Sequence, residues 1–281
     1  MQHETVLLDI AGIDSPTELV TYVPDNFPEL GMDRQRPAII ICPGGGYSFL
    51  SQREAEPVAL RFAGLGYAAF ILRYHVGEQG RYPIPQRQVL SAVAHVRENC
   101  EAYHVDPLAV VVLGFSAGGH VAGCAGTMWN WPEVTRPLKK KAALLRPDGM
   151  VLCYPVISSG PHRHKDSFLN LLGENFEEKR VAVSLELQVT EETPPTFLWH
   201  TADDTTVPVE NTMMMKRALQ AKGVEAEVHI YPHGRHGQSL ADRTVYSPEN
   251  MWKLSVPCST WVERCHLWLQ RTFCQESMQD K

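Results

Sequence analysis

The sequence lacks long hydrophobic runs and an excess of basic residues. No apolar stretch approaches the roughly 18 residues of a transmembrane helix, so we expect no membrane span. The 26 Lys and Arg residues against 32 Asp and Glu residues give a formal net charge of −6, which disfavours nucleic acid as a partner. The opening MQHETVLLDI also lacks the basic start and apolar core of a secretory signal, which predicts a cytoplasmic protein.

Cysteine pairs at metal-binding spacing are absent as well. The 7 cysteines are scattered, odd in number and without any CxxC spacing, so they are interpreted as reduced thiols rather than as disulfides or a zinc site. His162 and His164 stand two residues apart and form either a metal pair or part of a polar loop. Because no third ligand type lies nearby in the sequence, the polar loop is favoured and no metal is expected.

Short apolar runs alternate with amphipathic helical patterns along the chain. Seven runs predict strands, at residues 18–25, 36–46, 66–76, 107–115, 148–157, 194–202 and 225–234. Four patterns predict helices, at residues 84–105, 116–129, 211–223 and 259–273. This alternation predicts a single α/β domain over residues 1–281, with a mostly parallel sheet that is covered by helices on both faces. The longer connections at 158–193 and 237–257 either decorate the surface or shape a site.

A serine stands at the point where one predicted strand passes into a helix. The stretch AVVVLGFSAGGH contains Gly114, Ser116 and Gly118, which fit the GxSxG pattern of a nucleophile elbow. In such an elbow the turn is so tight that larger side chains two residues either side of the nucleophile would collide. The alternative is a glycine-rich turn with an idle serine. The position between an apolar strand and a helix of small residues favours Ser116 as a nucleophile.

An acid and a base follow the serine in chain order, each just after a predicted strand. WHTADDTTVP supplies Asp203 and Asp204, and YPHGRHGQ supplies His233 and His236. Because the carboxyl ends of parallel strands meet at one edge of a sheet, these groups are expected to converge on Ser116. We assign Asp203 as the acid and His236 as the base, with a turn or capping role for Asp204 and a loop position for His233.

The stretch CPGGGY after an early strand completes the candidate site. Gly45 and Gly46 bring backbone N–H groups close to a substrate, and with the N–H of Ala117 they predict an oxyanion hole. The run lacks the Lys-Ser/Thr of a P-loop and the spacing of a dinucleotide site, so no cofactor is expected. Tyr47 and Tyr74, near strand ends, either contact a sugar or an aromatic acyl group, or pack in the core or at the rim.

Together CPGGGY, GFSAGGH, PPTFLWHTADDTTVPVENT and YPHGRHG resemble the α/β-hydrolase superfamily, over residues 35–270. Within it they resemble small bacterial acetyl, acetylxylan and feruloyl esterases. The resemblance implies Ser116, Asp203 and His236 as the triad, because such families use the first aspartate of the pair. It also implies that 158–193 forms a short cap in place of the large helical cap of other branches.

One feature departs from the lipase-like branch: Pro43 stands where that branch has a histidine before the glycines, which leaves the first oxyanion donor open between Gly45 and Gly46. The resemblance implies hydrolysis of small esters, such as short acyl groups on carbohydrate, through an acyl-enzyme. The alternatives are a peptidase of the prolyl-oligopeptidase type and a non-catalytic binding protein of the same fold. A homo-oligomer is compatible with the sequence, which does not fix the oligomeric state.

Overall fold

A computed structural model describes residues 1–274. Over this range eight strands form one sheet in the order β1-β2-β4-β3-β5-β6-β7-β8. The strands are β1 Thr5–Leu8, β2 Thr17–Tyr22, β3 Arg36–Cys42, β4 Ala68–Arg73, β5 Val105–Phe115, β6 Gly149–Cys153, β7 Thr196–Thr201 and β8 Ala226–Tyr231. Strands β3 to β8 run parallel, whereas β1 and β2 pair antiparallel at one edge. The expected mostly parallel sheet is confirmed.

The α-helices lie between and after these strands. Their bounds are α1 Glu56–Gly64, α2 Ile84–Glu98, α3 Ala117–Thr127, α4 Pro132–Thr135, α5 Ala142–Leu145, α6 Lys165–Leu172, α7 Phe176–Lys179, α8 Glu210–Ala221 and α9 Trp261–Phe273. The four predicted helices correspond to α2, α3, α8 and α9. Neither β1 and α1 nor the short helices α4 to α7 are predicted from the sequence. A four-residue edge strand and a nine-residue helix with three buried residues give little periodic signal.

Two apolar layers cover the two faces of the sheet. Successive side chains of a strand point to opposite faces, so Ile40 lies in one layer and Ile39 and Ile41 in the other. Residues of α2, α3 and α8 belong to the layer that contains Ile40, and residues of α1 and α9 to the second. All three isoleucines are fully buried. This two-sided burial explains why the central strands are almost continuously apolar.

Four parallel strands deliver the candidate site to one edge of the sheet. β5 ends at Phe115, directly before Ser116, and β3 ends at Cys42, directly before the glycine run. The acidic pair follows the end of β7, and the two histidines follow the end of β8. Because these strands are parallel, all four ends lie at the same edge.

The two long connections both reach this edge. Residues 158–193 fold into α6, α7 and short 3₁₀ turns, and residues 237–257 form mainly 3₁₀ turns. Side chains from both segments line cavities beside Ser116. Among the helices of residues 1–274, none has the length and apolar character needed to cross a membrane.

Candidate active site

Ser116 occupies a strained backbone position between β5 and α3. Its φ and ψ are 53° and −118°, in a region that residues with a side chain rarely adopt. A Cβ on Gly114 would lie 2.1 Å from the carbonyl oxygen of Gly118, and a Cβ on Gly118 would lie 2.1 Å from that of Cys42. The flanking glycines therefore supply steric clearance, as the GxSxG pattern predicts.

A chain of short contacts joins Ser116 to a histidine and an acid. Ser116 Oγ lies 2.8 Å from His236 Nε2, and His236 Nδ1 lies 2.6 Å from Asp204 Oδ2. The carboxylate accepts the Nδ1–H, which leaves Nε2 unprotonated and able to accept the hydroxyl proton of Ser116. The sequence-predicted serine and histidine are thus brought together, with Asp204 as the third member.

The prediction of Asp203 as the acid is wrong in this geometry. Asp203 accepts hydrogen bonds from the N–H of Gly234, at 2.8 Å, and from His233, at 3.2 Å, whereas the carboxylate that bonds His236 is that of Asp204. Its side chain is 51% exposed, whereas that of Asp204 is fully buried. The turn after β7 directs the first aspartate to solvent and the second towards the histidine, so Asp204 makes the contact to His236 that was expected of Asp203.

Asp204 combines the expected turn role with the contact to His236. Its Oδ1 accepts the N–H groups of Thr206 and Val207 at 2.9 and 3.0 Å, and His200 Nε2 lies 3.4 Å from Oδ2. Burial alone raises the pKa of this carboxyl, but hydrogen bonds from His200 and His236 and the backbone N–H of Val207 outweigh it and hold the pKa well below its usual range. The buried carboxylate is therefore charged and fixed in orientation.

A buried glutamate that the sequence did not predict, Glu54, lies beneath the site. Glu54 accepts hydrogen bonds from the N–H of Gly44, at 2.9 Å, and from the hydroxyl of Tyr154, at 2.7 Å. The Tyr154 ring in turn packs edge-on against the imidazole of His236, with centroids 5.1 Å apart. Glu54 thus connects the glycine run to the histidine. The stretch SQREAE gave no signal for this role, since it is typical of an exposed helix start.

The glycine run presents its backbone beside Ser116. The N–H of Gly44 is occupied by Glu54, while Gly45 and Gly46 line the cavity that contains Ser116. Both have positive φ, 130° and 63°, and a Cβ on Gly45 would lie 2.0 Å from the carbonyl oxygen of Phe49. Ala117 begins α3, so its N–H has no carbonyl one turn earlier to bond. These three expected donors lie around one serine.

Tyr47 and Tyr74 do not reach the site, so of the two alternatives left open by the sequence, substrate contact is wrong and core packing is observed. Each is 1% exposed. Tyr47 bonds His120 Nδ1 at 2.6 Å, and Tyr74 donates to the carbonyl of Pro43 at 2.6 Å. Both rings are buried in the core, and both hydroxyl groups have hydrogen-bond partners there. The bond from Tyr74 to Pro43 supports the start of the glycine run from behind.

The cavity around Ser116 has a volume of about 300 Å³, and Asp166 and Asn170 are among the residues that line it. His164, at the start of α6, lines it and contacts Ser167 Oγ at 2.8 Å. Burial, followed by the charge of His236, lowers the pKa of His164. His162 is exposed. Over residues 1–274, no three His, Cys, Asp or Glu side chains group closely enough to hold a metal ion.

Comparisons with curated proteins find esterases and a xylanase. The chain is 35% identical over 231 residues to endo-1,4-beta-xylanase B of Butyrivibrio fibrisolvens, covering 80% of this chain and 36% of that protein. It is 30% identical over 256 residues to an acetylxylan esterase of Xylanibacter ruminicola, covering 87% and 49%. The chain thus spans half or less of the length of these two relatives.

Solved structures share the fold over nearly the whole chain. The acetyl ester-xyloside bifunctional hydrolase from Caldicellulosiruptor lactoaceticus has 38% identity and a TM-score of 0.77, over 92% of this chain and 89% of that one. The carboxylesterase Cest-2923 from Lactobacillus plantarum has 27% identity and a TM-score of 0.83, over 96% and 98%. The expected α/β-hydrolase fold is confirmed.

A family model described as BD-FAE matches residues 25–219, which include the glycine run, the serine elbow and the acidic pair. This match extends over more than half of the chain. The match agrees with the sequence motifs, which resemble those of small bacterial carbohydrate esterases. The chain therefore belongs to the BD-FAE family of the α/β-hydrolase superfamily.

Proposed function

We propose that this protein is a serine carboxylic-ester hydrolase that uses Ser116, His236 and Asp204. The observation that carries the proposal is the continuous contact from Ser116 Oγ through the imidazole to a buried carboxylate, at 2.8 and 2.6 Å. A strained serine in hydrogen-bond contact with an oriented base is the arrangement that nucleophilic catalysis requires.

The reaction follows from this geometry in two acyl-transfer steps. His236 Nε2 takes the hydroxyl proton as Ser116 Oγ attacks the ester carbonyl carbon, and Asp204 stabilises the resulting imidazolium. The N–H groups of Gly45 or Gly46 and Ala117 stabilise the oxyanion. His236 then gives its proton to the leaving alcohol. Water, activated by the same imidazole, attacks the acyl-enzyme and releases the acid.

The substrate we propose is a small ester with a short acyl group, such as an acetylated sugar. The cavity beside Ser116 is small, and polar groups such as Asp166 and Asn170 line it, which suits short acyl groups better than long aliphatic chains. The names of two relatives, an acetylxylan esterase and an acetyl ester-xyloside bifunctional hydrolase, support the same substrate class.

A panel of substrates tests this function. It contains acetyl, butyryl and octanoyl p-nitrophenyl esters, acetylated xylo-oligosaccharides and a proline-containing amide. We expect the highest kcat/KM for the acetyl esters and acetate release from the oligosaccharides. Ser116→Ala should reduce kcat by roughly 10⁶-fold. The matched control Ser259→Ala removes a hydroxyl that donates to the carbonyl of Val256, away from the cavity of Ser116, and should leave turnover unchanged.

Each alternative has its own outcome. Faster cleavage of the amide than of the esters would favour a peptidase of the prolyl-oligopeptidase type. If no ester is hydrolysed and a fluorophosphonate does not label Ser116, the protein is a binding module. Wild-type turnover in Ser116→Ala would refute the assignment of the nucleophile.

A further inference from the structure

A second cavity, of about 580 Å³, adjoins the cavity of Ser116. The two share Arg53, Thr206, His236 and Gly237 as lining residues, so they are continuous around the imidazole. The volume lies within the range of about 300–1,000 Å³ that is typical of small-molecule sites. A substrate that reacts at Ser116 therefore has room to extend into this second cavity.

Three basic side chains line the second cavity. They are Arg53, Arg235 and Lys253, and across residues 1–274 none of them forms an ion pair with a carboxylate. This cluster is local, because the chain as a whole carries a formal charge of −6. Cations that are grouped without carboxylate partners repel one another, so an anion bound among them would be stabilised.

Aromatic rings support all three cations at the cavity. The guanidinium of Arg53 lies 5.2 Å from the ring centroid of Tyr246, and that of Arg235 lies 4.4 Å from that of Trp252. Lys253 Nζ lies 5.3 Å from the same Trp252 ring. Stacking on an aromatic face restrains a long basic side chain without neutralising its charge. The rings therefore favour the positions that the three cations take at the cavity.

Asp203 is the one acidic residue that lines this cavity within the described part of the chain. Its carboxylate already accepts hydrogen bonds from the N–H of Gly234 and from His233. Three cations against one engaged carboxylate leave a net positive lining. An anionic group is expected to bind against the three basic side chains and away from Asp203.

The position beside His236 identifies which part of a substrate enters. In acyl transfer the imidazole donates its proton to the oxygen of the leaving alcohol, so that alcohol must lie on the side of His236. The glycine run lines the smaller cavity with Ser116, whereas of the two cavities Arg235 and Lys253 line only the second and Arg53 lines both, with His236 between them. The leaving alcohol, rather than the acyl group, therefore faces the cations.

We propose that Arg53, Arg235 and Lys253 form a subsite for a leaving alcohol that carries an anionic group, a carboxylate or a phosphate, as in an acidic sugar. The proposal rests on the ester-hydrolase function above and adds its substrate class. Charge-assisted hydrogen bonds to such a group bring the ester into register with Ser116. The preferred substrates are then acylated acidic sugars rather than neutral ones.

Aryl acetates of matched shape test the subsite. The phenol ring carries a carboxylate, a neutral carboxamide or a phosphate. Each group is tested in the meta and in the para position, so that the distance between the ester and the anionic group does not decide the result. Each kcat/KM is divided by the rate constant of alkaline hydrolysis, which corrects for leaving-group reactivity. We expect the wild type to prefer an anionic ester over its carboxamide by about 10-fold. The carboxylate and phosphate esters show which anion fits better.

Variants that remove positive charge test whether the three basic residues cause the preference for anionic esters. The triple variant Arg53→Gln, Arg235→Gln, Lys253→Gln should lose the preference for the anionic esters, mainly through a higher KM. A control variant removes the same charge from exposed positions outside the cavity, by Arg61→Gln, Arg217→Gln and Lys222→Gln, and should keep the preference. Equal preference ratios in the two variants, or no preference in the wild type, would overturn the subsite.

A binding measurement separates this proposal from the proposed function. Calorimetric titration of Ser116→Ala with the anionic and neutral esters needs no turnover. Tighter binding of the anionic ester without hydrolysis by the wild type would refute the ester-hydrolase function and keep the anion subsite. Equal Kd values for the two esters, together with hydrolysis by the wild type, would refute the subsite alone. Raising the salt concentration should also reduce the preference, because exposed charges are screened.

Discussion

Two aspartate–histidine pairs lie side by side at the edge of the sheet. The inner pair is Asp204 with His236, whose side chains are 0% and 17% exposed and whose contact is 2.6 Å long. The outer pair is Asp203 with His233, which are 51% and 83% exposed and 3.2 Å apart. Both pairs arise from the same two loops and the same residue types, yet the inner pair alone contacts Ser116.

Burial and secondary contacts separate the two pairs. Asp204 is held by the N–H groups of Thr206 and Val207 and by its contacts to two histidines, so its carboxylate has a fixed direction. For Asp203 the largest cause of the lowered pKa is the N–H of Gly234, and the remainder of the carboxylate faces water. An exposed ion pair contributes little free energy. Environment rather than residue type therefore decides which acid orients the base.

Replacing each histidine gives the largest expected contrast between the pairs. His236→Ala removes the base and should lower kcat by roughly 10⁶-fold. His233→Ala removes an exposed ring and should leave kcat within about threefold of the wild type, an effect of under 1 kcal/mol. Steady-state hydrolysis of p-nitrophenyl acetate measures both. Comparable losses in the two variants would mean that the outer pair takes part in the reaction.

Replacing each aspartate gives the next largest contrast. Asp204→Asn cannot hold the correct tautomer of His236 and should reduce kcat by roughly 10⁴-fold. Asp203→Asn keeps the shape of an exposed side chain and should change kcat by less than about threefold. The same ester assay applies, with circular dichroism to verify folding. A larger loss in Asp203→Asn would restore the first aspartate as the acid.

The pH dependence of stability gives the smallest contrast. The folded-state pKa of Asp204 lies below the ordinary value of 3.8, so its charged form adds stability that is complete above that pH and is lost as the pH falls through the folded pKa. The Tm advantage of the wild type over Asp204→Asn should therefore be a few degrees at pH 7 and shrink below about pH 4.

Asp203→Asn serves as the control for this measurement. Because Asp203 is largely exposed, its replacement should change the Tm much less than replacement of Asp204 at every pH. A Tm difference for Asp204→Asn that is independent of pH would show that its charge does not stabilise the fold.

The sequence by itself predicts the mostly parallel sheet and the positions of two candidate site residues, Ser116 and His236. Strand runs that are apolar on both faces predict a parallel sheet, and parallel strands bring their carboxyl ends to one edge. The steric requirements at the elbow are local, because Gly114 and Gly118 lie two residues on either side of Ser116. A short sequence motif is therefore sufficient to identify the elbow. The histidine followed from its place after the last strand.

Only the tertiary structure decided which neighbouring side chain points inward. A turn has no fixed period, so the sequence does not show whether Asp203 or Asp204 faces the imidazole, and the hydrogen bonds of that turn settle the direction. Glu54 and Tyr154 meet across 100 residues of chain, beyond the reach of any local pattern. Burial of Tyr47 likewise depends on helices that pack over the strand end, because exposure is a property of the assembled layers.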